Sequence, residues 1–254
     1  MGLRGNEEYP ERTSFPRSRF MMWSGPRNLS TAMMYAFHHR GDTKVVDEPY
    51  YAFYLKANPD IVHPGREDIL QQHEDDLGEI KSTLLGVTGS LSYLFVKNMP
   101  KHVEDMELDY LDSFQHIFLI REPGAMIRSF IKEVPDITMQ DMGYDGLLER
   151  FQELSRKDKV KAVLDCDRIL ENPEDQMKEL CDRLGIPFKV GMVKWPAGPI
   201  PEDGVWAEYW YSSVRASNGF EERPIPEPAV VPERYLRLHE ECRDIYDELL
   251  TYAL

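Results

Sequence analysis

Cysteine is scarce in this chain: Cys166, Cys181 and Cys242 are its only three in 254 residues, and no C-x-x-C spacing occurs. An odd, scattered set excludes a disulfide framework and a thiolate metal cage, and reads as the reduced thiols of a cytoplasmic protein. Long apolar runs are missing as well. No stretch approaches ~18 consecutive apolar residues, so no membrane-spanning helix is expected. The opening MGLRGNEEYPERTSF lacks the apolar centre of a secretory signal, and Asn6 stands where myristoylation wants Ser or Thr. Positive charge is in deficit, with Lys+Arg 30 against Asp+Glu 45 and a net charge of -15. That balance argues against nucleic acid held by counterion release and against docking on anionic lipid. A small anion remains open, because a local cluster of Arg can outvote a distant acidic surface.

What is present suits a packed α/β domain. Hydrophobic residues make up 42% and charged residues 30%, enough for a sizeable core and too apolar for disorder. Residues 1–18 read as a polar arm and 19–254 as one domain, with no internal repeat. Apolar runs of strand length fall at 19–23, 43–47, 91–97, 116–120 and 160–164. The runs at 91–97 (LSYLFVK) and 116–120 (HIFLI) are nearly all apolar, as strands buried on both faces of a parallel sheet must be. Helical patterns fall at 29–39, 50–55, 66–85 with a break near Gly78, from Pro123, at 174–184 before Gly185, at 206–215 and at 233–252. Strands alternating with helices predict a single domain with a central parallel sheet flanked by helices.

Two segments carry chemistry. Ser24-Gly25-Pro26-Arg27-Asn28-Leu29-Ser30-Thr31 joins the first strand to a helix that opens with hydroxyls. Free N–H groups and the positive end of a helix dipole make that junction an anion seat. Arg27 can add a forked cation, and Ser30 and Thr31 their hydroxyls. An ordinary strand-to-helix turn is the plain alternative. The Walker pattern is not met, since no Lys precedes the hydroxyl, and this disfavours an ATP-cleaving kinase. The second segment is Arg121-Glu122-Pro123 with Ser129 downstream. It puts Arg121 at the carboxyl end of a strand, where open α/β sheets bind ligands.

Taken together, the two segments resemble those of the sulfotransferase superfamily. The first is similar to its 5′-phosphosulfate loop and the second to its 3′-phosphate motif. A third stretch agrees: Val163-Leu164-Asp165 and Leu170-Glu171-Asn172-Pro173, then a helix and Leu184-Gly185-Ile186-Pro187-Phe188. The resemblance runs from Arg19 to about Phe188. It is nearest to a bacterial and plant subgroup with S-G-P-R-[NS]-x-S-T and D-E-P motifs. Part of that subgroup carries an aminotransferase-like label, although no feature here marks a pyridoxal-phosphate site. The resemblance implies a P-loop-like fold and 3′-phosphoadenosine 5′-phosphosulfate (PAPS) as co-substrate, leaving adenosine 3′,5′-bisphosphate (PAP). It implies a small-molecule acceptor and no metal; a homodimer is left open. The nucleotide set is Gly25, Arg27, Asn28, Leu29, Ser30, Thr31, Arg121 and Ser129. A late loop in the family closes on the 3′-phosphate, which nominates Arg215, Ser217, Asn218 and Gly219.

The base has two candidates. Glu48, in Asp47-Glu48-Pro49, resembles the strand-end Glu that serves as base in some branches. In other branches a strand His does this work, but Met99 stands at the matching position, and Arg27 replaces a frequent Lys. His102, past the Pro100 turn, is the rival base, its plain reading being a surface His. Lys97 and Arg27 are the expected donors to the bridging oxygen as the sulfuryl group leaves. Among the aromatics, Tyr50, Tyr51, Phe53 and Tyr54 can wall the acceptor pocket or simply fill the core. A kinase on the same scaffold and a non-catalytic nucleotide-binding protein remain the other readings.

Overall fold

The computed structural model describes residues 16–87, 91–104, 106, 108–132, 134, 136–226 and 230–254. Most of the polar arm, residues 1–15, lies outside them. Five strands, β1 (Ser18–Ser24), β2 (Thr43–Asp47), β3 (Tyr93–Asn98), β4 (Gln115–Ile120) and β5 (Val160–Asp165), form one parallel sheet in the order β2-β3-β1-β4-β5. Alternation along β1 sends Phe20 and Met22 to one face and Met21 and Trp23 to the other. Both faces are buried, which is why these strands read as apolar runs rather than alternating ones.

Helices cover the two faces. On one lie α1 (Ser30–His38), α2 (Tyr51–Ala57) and, later in the chain, α8 (Cys166–Glu171) and α9 (Pro173–Leu184). On the other lie α4 (Leu77–Gly86), α5 (Pro123–Phe130), α7 (Tyr144–Arg156) and α12 (Leu236–Leu250). Shorter helices complete the set: α3 (Arg66–Gln72), α6 (Met139–Met142), α10 (Ala207–Trp210) and α11 (Ser212–Ala216). Among the described residues, no helix is long and apolar enough to cross a membrane.

The elements depart from the sequence expectation in four places. The 66–85 helix breaks at residues 73–76 rather than at Gly78, because Asp76 caps α4 through the amides of Gly78 and Glu79 at 2.8 and 3.0 Å. The expected 206–215 helix is two, α10 and α11, parted at Tyr211, whose hydroxyl is drawn into the interior. The turn after β5 is helical: Asp165 caps α8 through the amides of Asp167 and Arg168, both at 3.0 Å. Helix α7 lies outside the expected elements, although Leu147, Phe151 and Leu154 show helical spacing and are buried.

Candidate functional site

A cleft of about 650 Å³ opens over the carboxyl edge of the sheet. The turn after β1 supplies one end of it. Gly25 lies beneath the turn, where a Cβ would stand 2.7 Å from the Met142 carbonyl oxygen. Arg27 holds a left-handed φ of 57° without being glycine, a conformation that costs roughly 1–2 kcal/mol. No side chain caps α1 at Leu29; Asn28 Oδ1 accepts the Ser30 amide at 3.0 Å. Arg27, Asn28, Leu29, Ser30 and Thr31 all line the cleft. A helix start whose N-cap residue supplies no side-chain acceptor, with a cation beside it, is electrostatically prepared for an anion.

Arg121 and Ser129 reach the same end from β4 and α5. Arg121 donates to the Arg27 carbonyl, and the Tyr144 hydroxyl donates to the Arg121 carbonyl. Arg27 Nε donates to Ser129 Oγ at 3.3 Å, and its guanidinium lies 6.0 Å from the Trp210 ring centroid. The two segments, far apart in sequence, are therefore one hydrogen-bonded unit.

The other end of the cleft holds Glu48, Lys97 and His102. Glu48 has a left-handed φ of 41°, and its side chain is 3% exposed. Its Oε1 accepts from Lys97 Nζ at 2.5 Å, while Oε2 has no partner. Burial pushes the Glu48 carboxyl above the usual carboxylate range, against the pull of Lys97. Lys97 Nζ also donates to Asp47 Oδ1 at 2.9 Å and to the Tyr211 hydroxyl at 2.6 Å. Burial alone would lower the Lys97 pKa, but Asp47 and Glu48 outweigh it and hold the ammonium well above its ordinary value.

His102 is buried at 2% exposure, which corrects the surface reading. Its ring stacks on Tyr51 at 4.6 Å, and Nδ1 stands 3.8 Å from Glu48 Oε2. Both ring nitrogens lack partners. Burial, then Lys101 and Lys97, hold its pKa well below 6.5, so the imidazole is neutral.

The late segment divides. Ser217 and Gly219 line the cleft. Arg215 does not: it turns to Asp203, with N–O distances of 2.9 and 2.7 Å. Asn218 is likewise outside the lining, its Oδ1 accepting the Ala197 amide at 3.2 Å. Tyr51, Tyr54, Trp206 and Trp210 wall the cleft; Tyr50 is buried elsewhere, its hydroxyl 2.8 Å from that of Tyr110. Sequence reasoning missed Lys101 and Arg223, both lining residues. The only signal for Arg223 was a cation four residues past Gly219 in an acidic run.

The family model described as "Sulfotransferase domain" matches residues 18–240. Two proteins of Arabidopsis thaliana, called branched-chain-amino-acid aminotransferase-like proteins 1 and 2, are 37% and 35% identical over 232 and 228 residues. The matches cover 91% and 89% of this chain but 41% and 40% of those proteins, so the chain spans about two fifths of their length. A solved sulfotransferase domain from the curacin biosynthetic pathway has a TM-score of 0.55 at 15% identity, covering 94% of this chain and 99% of its own. A mouse sulfotransferase complexed with PAP has a TM-score of 0.52 at 9% identity, covering 95% and 91%. At these identities the likeness is one of fold.

Proposed function

The chain belongs to the sulfotransferase domain family, and from that premise we propose that it moves a sulfuryl group from PAPS to a hydroxyl of a small-molecule acceptor. One observation carries the reading: a single cleft has a helix start whose N-cap residue, Leu29, offers no side-chain acceptor, with Arg27, Arg121 and Ser129 at one end, and a buried carboxylate oxygen without a partner, Glu48 Oε2, at the other. PAPS supplies an activated sulfuryl group whose leaving group is a phosphate. The turn at 25–31 binds the 5′ end, and Arg121 with Ser129 the 3′-phosphate; Ser217 and Gly219 border it. Arg27 stabilises the charge that builds on the bridging oxygen as the S–O bond breaks. Glu48 Oε2 takes the proton from the acceptor hydroxyl as the new S–O bond forms. Tyr51, Tyr54, Trp206 and Trp210 exclude water around the acceptor. Three buried free thiols support a reducing compartment, the cytoplasm in this reading.

The test is to incubate the protein with PAPS and a library of alcohols, phenols and amines, and to measure PAP. The expected result is PAP release that depends on a hydroxyl acceptor. Thermal stabilisation by ATP with Mg²⁺, and none by PAP, would instead support a kinase on this scaffold.

A further inference from the structure

Lys97 ends an apolar strand at the ligand edge, the place where a lysine would reach a reacting oxygen. Its surroundings assign it otherwise. An ammonium has three hydrogens, and here each has an acceptor: Glu48 Oε1 at 2.5 Å, the Tyr211 hydroxyl at 2.6 Å and Asp47 Oδ1 at 2.9 Å. The side chain is 2% exposed. Those acceptors are committed in turn. Tyr211 donates to Asp47 Oδ2 at 2.7 Å and accepts from Trp206 Nε1 at 2.9 Å; Asp47 Oδ2 also accepts from Trp206 Nε1 at 3.1 Å and from the Gly204 amide at 3.3 Å. A substrate oxygen could capture Lys97 only by stranding one of these buried partners, which is costly. Within this web, Glu48 Oε2 is the carboxylate oxygen left over.

We infer that Lys97 is a positioning residue, which clamps Glu48 by Oε1 so that Oε2 faces the acceptor, and that it makes no contact with the transferring group. This rests on the sulfotransferase reading for what Glu48 does, but not for the clamp itself. The titratable groups that face Glu48 are Asp47 beside it, Tyr51 of α2, Lys97 of β3, Lys101 and His102 of the turn after β3, and Tyr211 before α11. Lys97 is the cation in direct contact with the carboxylate, so its loss dominates the change at Glu48.

The experiment follows the Glu48 carboxyl by 13C NMR in protein labelled at glutamate, with Glu48→Gln to assign the signal. In Lys97→Met the titration of Glu48 moves up by about one pH unit or more, and the acid limb of kcat moves with it. An unmoved titration, with kcat reduced alike at every pH, overturns the clamp. A second measurement needs no variant. The leaving oxygen is retained in the 5′-phosphate of PAP, so adding PAP to 15N-lysine protein reports contact directly. The Lys97 Nζ signal stays in place if it is a clamp and shifts strongly if it touches that oxygen. A shifted Glu48 titration without PAPS turnover keeps the clamp and removes the sulfotransferase reading; turnover with an unmoved titration does the reverse.

Discussion

Glu48 hangs on Lys97 by two bonds: its amide donates to the Lys97 carbonyl at 2.9 Å, and its Oε1 accepts from Lys97 Nζ at 2.5 Å. The first bond extends the pairing of β2 with β3 one residue past the last strand pair, Asp47 with Lys97. The chain then turns through a φ of 41° into Pro49 and α2. The strained residue is thus held by backbone and side chain together, which over-determines its conformation.

Replacing that carboxyl separates chemistry from binding. Glu48→Gln keeps size and hydrogen bonding but cannot take a proton. PAP affinity stays near the parent value, while sulfuryl transfer falls by ~10²–10⁴. Steady-state turnover beside PAP calorimetry checks both halves. Near-normal turnover in Glu48→Gln, with an inactive but folded His102→Ala, would move the base to His102.

On the proposed function, the Arg27 end of the cleft divides its grip between two phosphates. At ligand ~100 times Kd, PAP stabilises the fold by about 2.7 kcal/mol, and AMP at the same concentration does much less. Arg121→Ala removes a charge-assisted contact worth ~1.5–3 kcal/mol and weakens PAP more than AMP. Thermal shifts with both ligands on both proteins provide the check; equal losses would make Arg121 a support for the Arg27 carbonyl alone.

Acid is expected to destabilise this fold through a buried imidazole. His116 accepts from Trp23 Nε1 at 3.0 Å through Nδ1, and its Nε2 lies 3.0 Å from the Leu111 carbonyl oxygen, a partner for an Nε2–H. Burial lowers its pKa from 6.5 to about 4. The unfolded chain takes up that proton near pH 6.5 and the folded chain only near 4, so the contribution is intact above 6.5 and falls with pH between those values. The slope is up to about 1.4 kcal/mol per pH unit for this one group. Urea unfolding at pH 7, 6 and 5 measures it. His116→Phe is less stable at pH 7 but has a flatter dependence.

Asp158 is a control for backbone strain away from the cleft. It is exposed, lies in the turn between α7 and β5, and has a φ of 54°. Asp158→Gly relieves that conformation and raises stability by roughly 1 kcal/mol, or about 2–4 °C in Tm, with no change in PAP affinity. A scanning calorimeter decides it.

Much of this architecture is local in origin and therefore readable in the chain. The strands stand out as apolar runs, and the 24–31 turn and Arg121 with Ser129 are short motifs after such runs. Two further features depend on distant partners. Lys97 and Tyr211 are 114 positions apart, and nothing near Lys97 in sequence tells that its ammonium is fully engaged. His102 follows a proline turn that looks exposed, but α2 folds Tyr51 and Tyr54 against its ring. Arg215 shows the same limit at short range: it reads as a phosphate ligand until Asp203 is seen to take it.

The strand order has an evolutionary side. The turn at 24–31 and Arg121 follow β1 and β4, while Glu48, Lys97 and His102 lie on or just past β2 and β3. The two residue groups, to which the proposed function gives separate jobs, therefore occupy separate halves of the sheet edge, which meet where Met22 of β1 pairs with Lys97 of β3. Changes in α2 and in the exposed residues after it alter the acceptor wall from the far side of that seam. On the proposed function, such a layout lets a lineage exchange one acceptor for another while inheriting its nucleotide grip unaltered.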